Sequence, residues 1–159
     1  MKYESAKKYR LGTSWLRALP DFVVIGAQKS GTTTLFTILS EHPQVMSPFN
    51  KEPHYFDNNF YKPLTTGYRF QFPLKAYMLL RGMRHRSSVI TGEATPFYLF
   101  HPLVPGRMKK VIPKARLLVI LREPVERAYS HYQYAVKNGN ETRSFADAIS
   151  HEVEQVEAE

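Results

Sequence analysis

The sequence contains no cysteine in its 159 residues, which excludes disulfide bonds, thiol catalysis and cysteine-ligated metals. Its six histidines are scattered, and no two of them have the spacing of a zinc site. No apolar run approaches the roughly 20 residues that a membrane-spanning helix requires. The polar, basic N-terminus lacks the apolar centre of a secretory signal peptide. These absences predict a cytoplasmic protein without a metal centre.

The composition is that of a folded domain with a basic surplus. Hydrophobic residues make up 43% and charged residues 23%, and the length is enough for one domain with a core. The 22 basic and 14 acidic residues give a formal net charge of +8, which favours anionic partners such as nucleotides or polyanionic sugars. Nucleic acid is not expected, because no recognition motif for it appears. Residues 1–20 are predicted to form a basic leader, and residues 21–159 one domain.

One stretch near the N-terminus organises the rest of the chain. Phe22 to Ile25 are apolar and mostly β-branched, and they run directly into Gly26, which is typical of a strand buried on both faces of a parallel sheet. Gly31 closes a short polar loop, and Thr32 opens a segment predicted to be helical as far as His42. A strand, loop and helix N-terminus in this order can bind a phosphate, because backbone N–H groups and the helix dipole point at the anion.

This loop is close to a Walker A motif but differs in the position of its lysine. The Walker A motif has a lysine directly after its second glycine. Here Thr32 follows Gly31, and the lysine is Lys29. The hydroxyls of Thr32 and Thr33 would bond the phosphate, while Lys29 would reach it from the other side of the loop. The pattern therefore favours a phosphate-binding loop that does not hydrolyse nucleoside triphosphates.

Strands and helices alternate along the remaining sequence. Buried strands are predicted near 22–26, 89–92 and 116–121, and helices near 32–42, 74–83, 101–110, 124–138 and 142–157. This alternation predicts a three-layer α/β/α domain with a central parallel sheet. Polar turns follow the three strands at Gln28–Thr33, Gly92–Thr95 and Arg122–Arg127. Because ligands bind beyond the carboxyl ends of parallel strands, these turns are predicted to form one active site.

Two of these segments resemble the donor-binding motifs of sulfotransferases that use PAPS (3′-phosphoadenosine 5′-phosphosulfate). The first is similar to the family's 5′-phosphosulfate loop and consists of Lys29, Ser30, Gly31, Thr32 and Thr33, extended by Thr34. In the second, Arg122 and Ser130 resemble the pair that binds the 3′-phosphate. The resemblance covers roughly residues 21–150. It implies the P-loop-like sulfotransferase fold and PAPS as donor, with this chain as the N-terminal part of the family's domain.

A third segment, residues 51–57, is similar to the Glu-x-His-Phe-Phe-Asp segment of the heparan sulfate-type O-sulfotransferases. The resemblance implies that Glu52 removes the proton of the acceptor hydroxyl and that Lys29 neutralises the leaving oxygen. His54 would support Glu52 or act as an alternative base. Ala94 stands where the 3-O enzymes usually carry a substrate-facing lysine, so carbohydrate and small-molecule hydroxyls both stay open as acceptors. An anionic carbohydrate is one candidate, and no metal is implied.

Three residues of these segments also have a purely structural interpretation. Glu52 could form a surface salt bridge with Lys51, His54 could bond the backbone, and Glu93 could be an ion-pair partner at a strand end.

Two other functions are open for the whole chain, a P-loop-type nucleotide kinase and a non-enzymatic polyanion-binding domain. The displaced lysine and the lack of an evident magnesium-binding carboxylate at a strand end argue against the kinase. Basic residues spread along the whole chain argue against the polyanion binder. The Golgi lumen replaces the cytoplasm as the expected compartment if an N-terminal anchor has been lost. No feature of the sequence indicates an oligomeric state.

Overall fold

A computed structural model describes residues 2–59, 61 and 65–157. Its helices are α1 (Lys2–Gly12), α2 (Thr32–Glu41), α3 (Thr66–Arg69), α4 (Lys75–His85), α5 (Val104–Val111), α6 (Pro124–Lys137) and α7 (Phe145–Glu157). Its strands are β1 (Phe22–Gly26), β2 (Val45–Met46), β3 (Ile90–Ala94) and β4 (Arg116–Val119), and short 3₁₀ helices cover Ser14–Leu16 and Pro96–Leu99. The predicted strands and helices are all found, with ends shifted by a few residues.

The four strands form one parallel sheet in the order β2-β3-β1-β4. Phe22 of β1 lies opposite Gly92 of β3 and Arg116 of β4. The pairing is parallel because a helical connection after each strand returns the chain to the end of the sheet at which the strands begin. The three predicted strands are thus confirmed as neighbours in a central parallel sheet flanked by helices, and the α/β fold class is confirmed.

The core lies on both faces of this sheet. Side chains alternate along β1, so Val23 joins one cluster while Phe22 and Val24 join the other. The Phe22 cluster also contains Phe36, from α2. The Val23 cluster is larger and mostly aromatic, with Phe56, Tyr68, Phe72 and Tyr98 packed beside Val104, Met108, Val111 and Ile112. Because this cluster includes Phe56, it packs directly beneath the segment that contains Glu52 and His54.

A close contact between Gly92 and Phe22 gives a first testable prediction. A Cβ atom added to Gly92 would lie 2.5 Å from the Phe22 ring. Gly92→Ala is therefore expected to lower the free energy of unfolding by about 1–3 kcal/mol, the usual cost of overpacking a core. Urea denaturation of both proteins measures this difference.

Gly106→Ala is the matched control for that prediction. Gly106 lies in α5, and a Cβ atom there would meet nothing within 4 Å. This variant is expected to be more stable by roughly 0.5–1 kcal/mol, because alanine loses less backbone freedom in a helix. Equal stability of the two variants would contradict the packing interpretation of Gly92.

The strand with the strongest apolar sequence, β4, lies at the edge of the sheet. Leu117 and Val119 are 53% and 46% exposed, and Leu121, which follows the strand, is 74% exposed. Within the described residues, β4 pairs with β1 alone. The expected burial of this strand is not found, because burial depends on the neighbours of a strand as much as on its own sequence.

Two arginines tie the first twenty residues to the rest of the chain. Arg10 donates hydrogen bonds to the carbonyl groups of Phe70, Gln71 and Phe72. Arg17 is 2% exposed and donates to the carbonyl of Phe72 as well. Burial and the charge of Arg17 lower the pKa of Arg10 to about 10. These contacts join α1 to the segment after α3, while the division of the chain at residue 20 stays a prediction.

Candidate active site

The anion loop, defined as residues 27–33, joins β1 to α2 in the predicted arrangement. Gly31 is the N-cap of α2 and has a φ of 93°, a left-handed conformation that glycine adopts without steric cost. In the described chain, no side chain caps the first turn of α2. The N–H groups and the positive dipole end of this helix are therefore open to an anion.

Ser30 gives independent support for an anion at this position. Its Oγ atom is buried and has no hydrogen-bond partner among the described residues. An unpaired buried hydroxyl costs about 1–3 kcal/mol, and buried polar groups in folded proteins are nearly always paired. The neighbouring Thr32 is only 5% exposed. The groups present in this loop therefore fit a bound phosphate or sulfate.

Lys29 lies in the anion loop with a left-handed φ of 65°, which is uncommon for a residue other than glycine. Its ammonium Nζ lies 3.3 Å from the centre of the Tyr134 ring in α6, a cation–π contact. Burial, and then the charge of Lys137, lower the pKa of Lys29. Strained backbone of this kind concentrates at functional sites, so it agrees with a role for Lys29 beyond packing.

The α6 side chains beside Lys29 were not among the predicted site residues. Tyr134 contacts the ammonium directly, and His131 lies three residues earlier on the same helix. The Nδ1 atom of His131 is buried without a partner among the described residues, and burial, Arg127 and Lys29 together lower its pKa. Their i, i+3 spacing, which places both on one helix face, was the signal available in the sequence.

Lys51 connects the anion loop to the predicted base. Its Nζ atom donates a hydrogen bond of 2.7 Å to Oγ1 of Thr33 and lies 2.9 Å from Oε1 of Glu52. The salt bridge that the sequence analysis weighed against a catalytic Glu52 is thus present. It does not stand alone on the surface, however, since the same ammonium reaches the anion loop. The cation in contact with Glu52 is Lys51, whereas Lys29 lies on Tyr134.

A chain of ionisable groups runs through the loop that contains Glu52. Oε2 of Glu52 lies 3.7 Å from Nε2 of His54, and Nδ1 of His54 lies 2.6 Å from Oδ2 of Asp57. The Asp57 side chain is only 6% exposed, whereas those of Glu52 and His54 are 39% and 51% exposed. His54 has a left-handed φ of 47°. The buried Asp57 thus orients the imidazole, while the side chains of Glu52 and His54 face solvent.

Arg122 lies between β4 and α6, beside the anion loop. Ile120 exchanges backbone hydrogen bonds with Gly26 and Ala27, which brings the segment after β4 alongside that loop. The Arg122 guanidinium donates to Oε2 of Glu126 from Nε and Nη2, at 3.1 Å and 3.0 Å. Within the described chain, it forms no hydrogen bond with Ser130 of α6. The shared phosphate-binding role of Arg122 and Ser130 stays a prediction.

The N-terminus of α6 explains why Arg122 is held at this position. Glu123 is the N-cap, and its carboxylate accepts hydrogen bonds from the N–H groups of Val125 and Glu126. Pro124 occupies the first helical position, where its missing N–H costs nothing. These two residues fix the start of the helix immediately after Arg122, whose guanidinium is then paired one turn further along.

Comparison with known proteins places the chain and its fold in one family. The sulfotransferase domain family matches residues 19–157. The chain is 38% identical over 122 residues to the membrane-associated sulfotransferase kil1 of Dictyostelium discoideum, covering 77% of this chain and 24% of that protein. It is 33% identical over 129 residues to heparan sulfate glucosamine 3-O-sulfotransferase 3B1 of Mus musculus, covering 81% of this chain and 30% of the relative.

A solved structure gives the same result. The crystal structure of a sulfotransferase from Alicyclobacillus acidocaldarius aligns with a TM-score of 0.63 and 34% identity, covering 89% of this chain and 60% of the other. The chain spans about a quarter to a third of the length of the two curated relatives described above. In residues 2–59, 61 and 65–157, no helix is both long and apolar enough to cross a membrane. The match over most of the chain and the agreement of fold show that the chain belongs to the sulfotransferase family.

Proposed function

We propose that this chain contributes the donor site and the base of an enzyme that transfers a sulfuryl group from PAPS to an acceptor hydroxyl. The observation that carries the proposal is the position of Lys51, whose ammonium contacts Thr33 of the anion loop and Glu52 at once. The anion loop, which suits a phosphate, and Glu52, whose carboxylate suits proton removal, are therefore bridged by a single side chain. Sulfuryl transfer requires this adjacency, because the acceptor attacks in line with the leaving phosphate.

The donor would be held by two groups of residues. The residues that would surround its 5′-phosphate end are Lys29, Ser30, Gly31, Thr32, Thr33 and Thr34, while Arg122 and Ser130 would bind the 3′-phosphate. The unpaired Ser30 hydroxyl and the uncapped N-terminus of α2 support the first assignment. A guanidinium is well suited to a terminal phosphate because its planar N–H groups can bind two oxygens at once.

When bound, PAPS supplies the sulfuryl group and a phosphate leaving group. The oxygen of the acceptor hydroxyl would bond to sulfur while the bond between sulfur and the phosphate oxygen breaks. Glu52 would accept the proton that the hydroxyl loses in this step. His54 would hold Glu52 in place. Asp57 fixes the Nδ1 atom of His54, so that the Nε2 atom of the same ring faces the Glu52 carboxylate. Lys29 would stabilise the negative charge that develops on the leaving oxygen.

The acceptor is proposed to be a hydroxyl group of a carbohydrate. The support is the name of the 3B1 relative, which acts on glucosamine of heparan sulfate, together with the formal charge of +8. Ala94, in place of the lysine that the 3-O enzymes usually carry, leaves small-molecule hydroxyls as the second class to test. A screen of both classes with the full-length protein and radiolabelled PAPS distinguishes them.

Calorimetric titration with two nucleotides tests the donor. PAP, the desulfated product, is expected to bind, and ATP with Mg²⁺ is expected not to bind. The reverse result would favour a nucleotide kinase. Binding of neither nucleotide would contradict the enzymatic proposal and leave a polyanion-binding domain.

Arg122→Ala is expected to weaken PAP binding by about 1.5–3 kcal/mol, the range for hydrogen bonds to charged groups. Among the described residues the wild-type guanidinium is paired only with the exposed Glu126, so it can turn to a phosphate at little cost. Arg143→Ala is the matched control, because Arg143 is also paired with a nearby glutamate, Glu141. Equal PAP affinity of the two variants would count against the assignment of Arg122.

A further inference from the structure

A carboxylate without any exposed surface lies beneath the loop that contains Glu52. Glu93, in β3, is 0% exposed. The hydroxyl of Tyr68 donates to its Oε1 atom at 2.6 Å, and the hydroxyl of Thr95 donates to its Oε2 atom at 2.6 Å. An ion pair at the strand end was the structural role predicted for Glu93. Its partners in the described chain are instead hydroxyl groups.

Tyr98 connects the surroundings of Glu93 to the backbone of the loop. Thr95, whose hydroxyl donates to Glu93, also accepts a hydrogen bond at its carbonyl from the Tyr98 backbone N–H at 3.1 Å, and the Tyr98 hydroxyl lowers the pKa of the Glu93 carboxyl. The same Tyr98 oxygen accepts hydrogen bonds from the backbone N–H groups of Tyr55, at 2.9 Å, and Phe56, at 3.4 Å. Tyr55 and Phe56 lie between His54 and Asp57. Hydrogen bonds therefore lead from the buried carboxylate through Thr95 and Tyr98 to the backbone between His54 and Asp57.

The opposite side of the same loop is held by a cation. The Arg107 guanidinium of α5 donates to the carbonyl groups of Phe56 and Asn58. Tyr98 thus holds N–H groups of the loop and Arg107 holds its carbonyl groups. Irregular backbone held on two sides can present side chains with a fixed geometry, although it has no helix or strand of its own.

Burial of Glu93 is costly, which argues that the carboxylate does more than fill space. Removal from water raises the pKa of Glu93 to about 7, although the hydroxyl groups of Thr95, Tyr68 and Tyr98 oppose that shift. An apolar side chain of similar volume would fill the same space in the aromatic cluster at lower cost. A buried polar network of this type instead specifies a single arrangement of the groups bonded to it.

We infer that Glu93 is a positioning residue that acts through Thr95 and Tyr98 to fix the backbone at Tyr55 and Phe56. Glu93 itself touches neither donor nor acceptor. By holding this backbone it sets the placement of Glu52, His54 and Asp57 relative to the anion loop. The effect on catalysis rests on the proposed function, whereas the effect on the loop backbone does not.

Two variants test the inference, Tyr98→Phe and Glu93→Gln, with Tyr68→Phe as the matched control. Tyr98→Phe removes the hydroxyl that reaches the loop and keeps the ring. Tyr68→Phe removes a hydroxyl from the same carboxylate, but among the described residues the Tyr68 hydroxyl bonds to Glu93 and not to the loop backbone. Thermal unfolding of each full-length variant shows that it is folded.

The first measurement is amide hydrogen exchange at Tyr55 and Phe56, and the second is turnover compared with PAP affinity. In Tyr98→Phe and Glu93→Gln we expect exchange at these amides to rise about tenfold, as for the loss of one hydrogen bond. We expect turnover to fall roughly 10–100-fold, as for a small displacement of reacting groups, with PAP affinity unchanged. In Tyr68→Phe we expect a lower melting temperature, with loop exchange and turnover close to wild type.

The outcomes distinguish the effect on the loop backbone from the effect on catalysis. Unchanged exchange at Tyr55 and Phe56 in Tyr98→Phe would overturn the anchor, whatever happens to activity. Faster exchange with normal turnover would overturn the positioning role. Equal losses of turnover in Tyr68→Phe and Tyr98→Phe would show general destabilisation instead and also overturn it. If the wild-type protein transfers no sulfate, the proposed function fails, and exchange alone decides the anchor. If Tyr98→Phe does not fold, Glu93→Gln decides by the same two measurements.

Discussion

Replacing Glu52 with glutamine is expected to lower the rate of sulfate transfer by roughly 10²–10⁴-fold, the usual contribution of a positioned base. Glutamine keeps the shape of the side chain and loses its ability to accept a proton. PAP affinity should stay nearly unchanged, because in the part of the chain that the structure describes Glu52 reaches the anion loop only through Lys51. The measurement is turnover of the full-length protein with its acceptor, beside calorimetric PAP affinity. Glu41→Gln, at the exposed end of α2, is the control.

His54→Asn is expected to cost less than Glu52→Gln. Nδ1 of His54 is already bonded to Asp57, and Nε2 faces the Glu52 carboxylate at 3.7 Å. The imidazole is therefore better placed to orient Glu52 than to replace it. If Glu52→Gln retains near-normal turnover while His54→Asn abolishes it, the two roles are reversed, and the enzyme works with a histidine base.

Replacing Lys29 with methionine is expected to lower turnover by about 10²–10³-fold, comparable to the removal of one preorganised donor from a developing oxyanion. Methionine retains most of the length of the side chain and removes the charge. The prediction requires the ammonium to leave the Tyr134 ring and turn towards the anion loop. That movement is inexpensive, because a cation–π contact contributes only about 0.5–2 kcal/mol.

Two further lysines make this experiment specific. Lys137→Met removes a charge near Lys29 without touching the loop, and we expect turnover within a few-fold of wild type. Lys51→Met removes the ammonium that already contacts Thr33 and Glu52. A larger loss in Lys51→Met than in Lys29→Met would show that Lys51, and not Lys29, supplies the charge opposite the leaving oxygen.

Local signals in the sequence were sufficient to predict β1, the anion loop and α2. The strand is apolar at consecutive positions, Gly31 marks the left-handed N-cap, and Pro43 follows the end of the helix. Each of these features acts over a few residues, so the sequence displays them directly. The parallel direction of the three predicted strands was predicted from the alternation of strands and helices along the chain.

Features that depend on contacts between distant residues could not be predicted in this way. Lys51 meets Thr33 across 18 residues, and Arg10 meets Phe70 across 60. The exposure of β4 depends on which strands lie beside it. The hydroxyl partners of Glu93 likewise appear only once Tyr68 is folded against β3, so sequence reasoning offered an ion pair instead.

The central place of β1 in the sheet has a consequence for the kinetics of folding. Both of its neighbours come from far along the chain, since Asp21 at its start bonds to Thr91 across 70 residues and Phe22 pairs with Arg116. Such non-local pairing must overcome the entropy of closing long loops before any contact rewards it, so parallel sheets of this type fold slowly. During synthesis β1 emerges from the ribosome well before β3 and β4. The apolar residues of β1 therefore have no strand to pair with until the ribosome has added β3 and β4. In that interval the nascent chain is prone to aggregate.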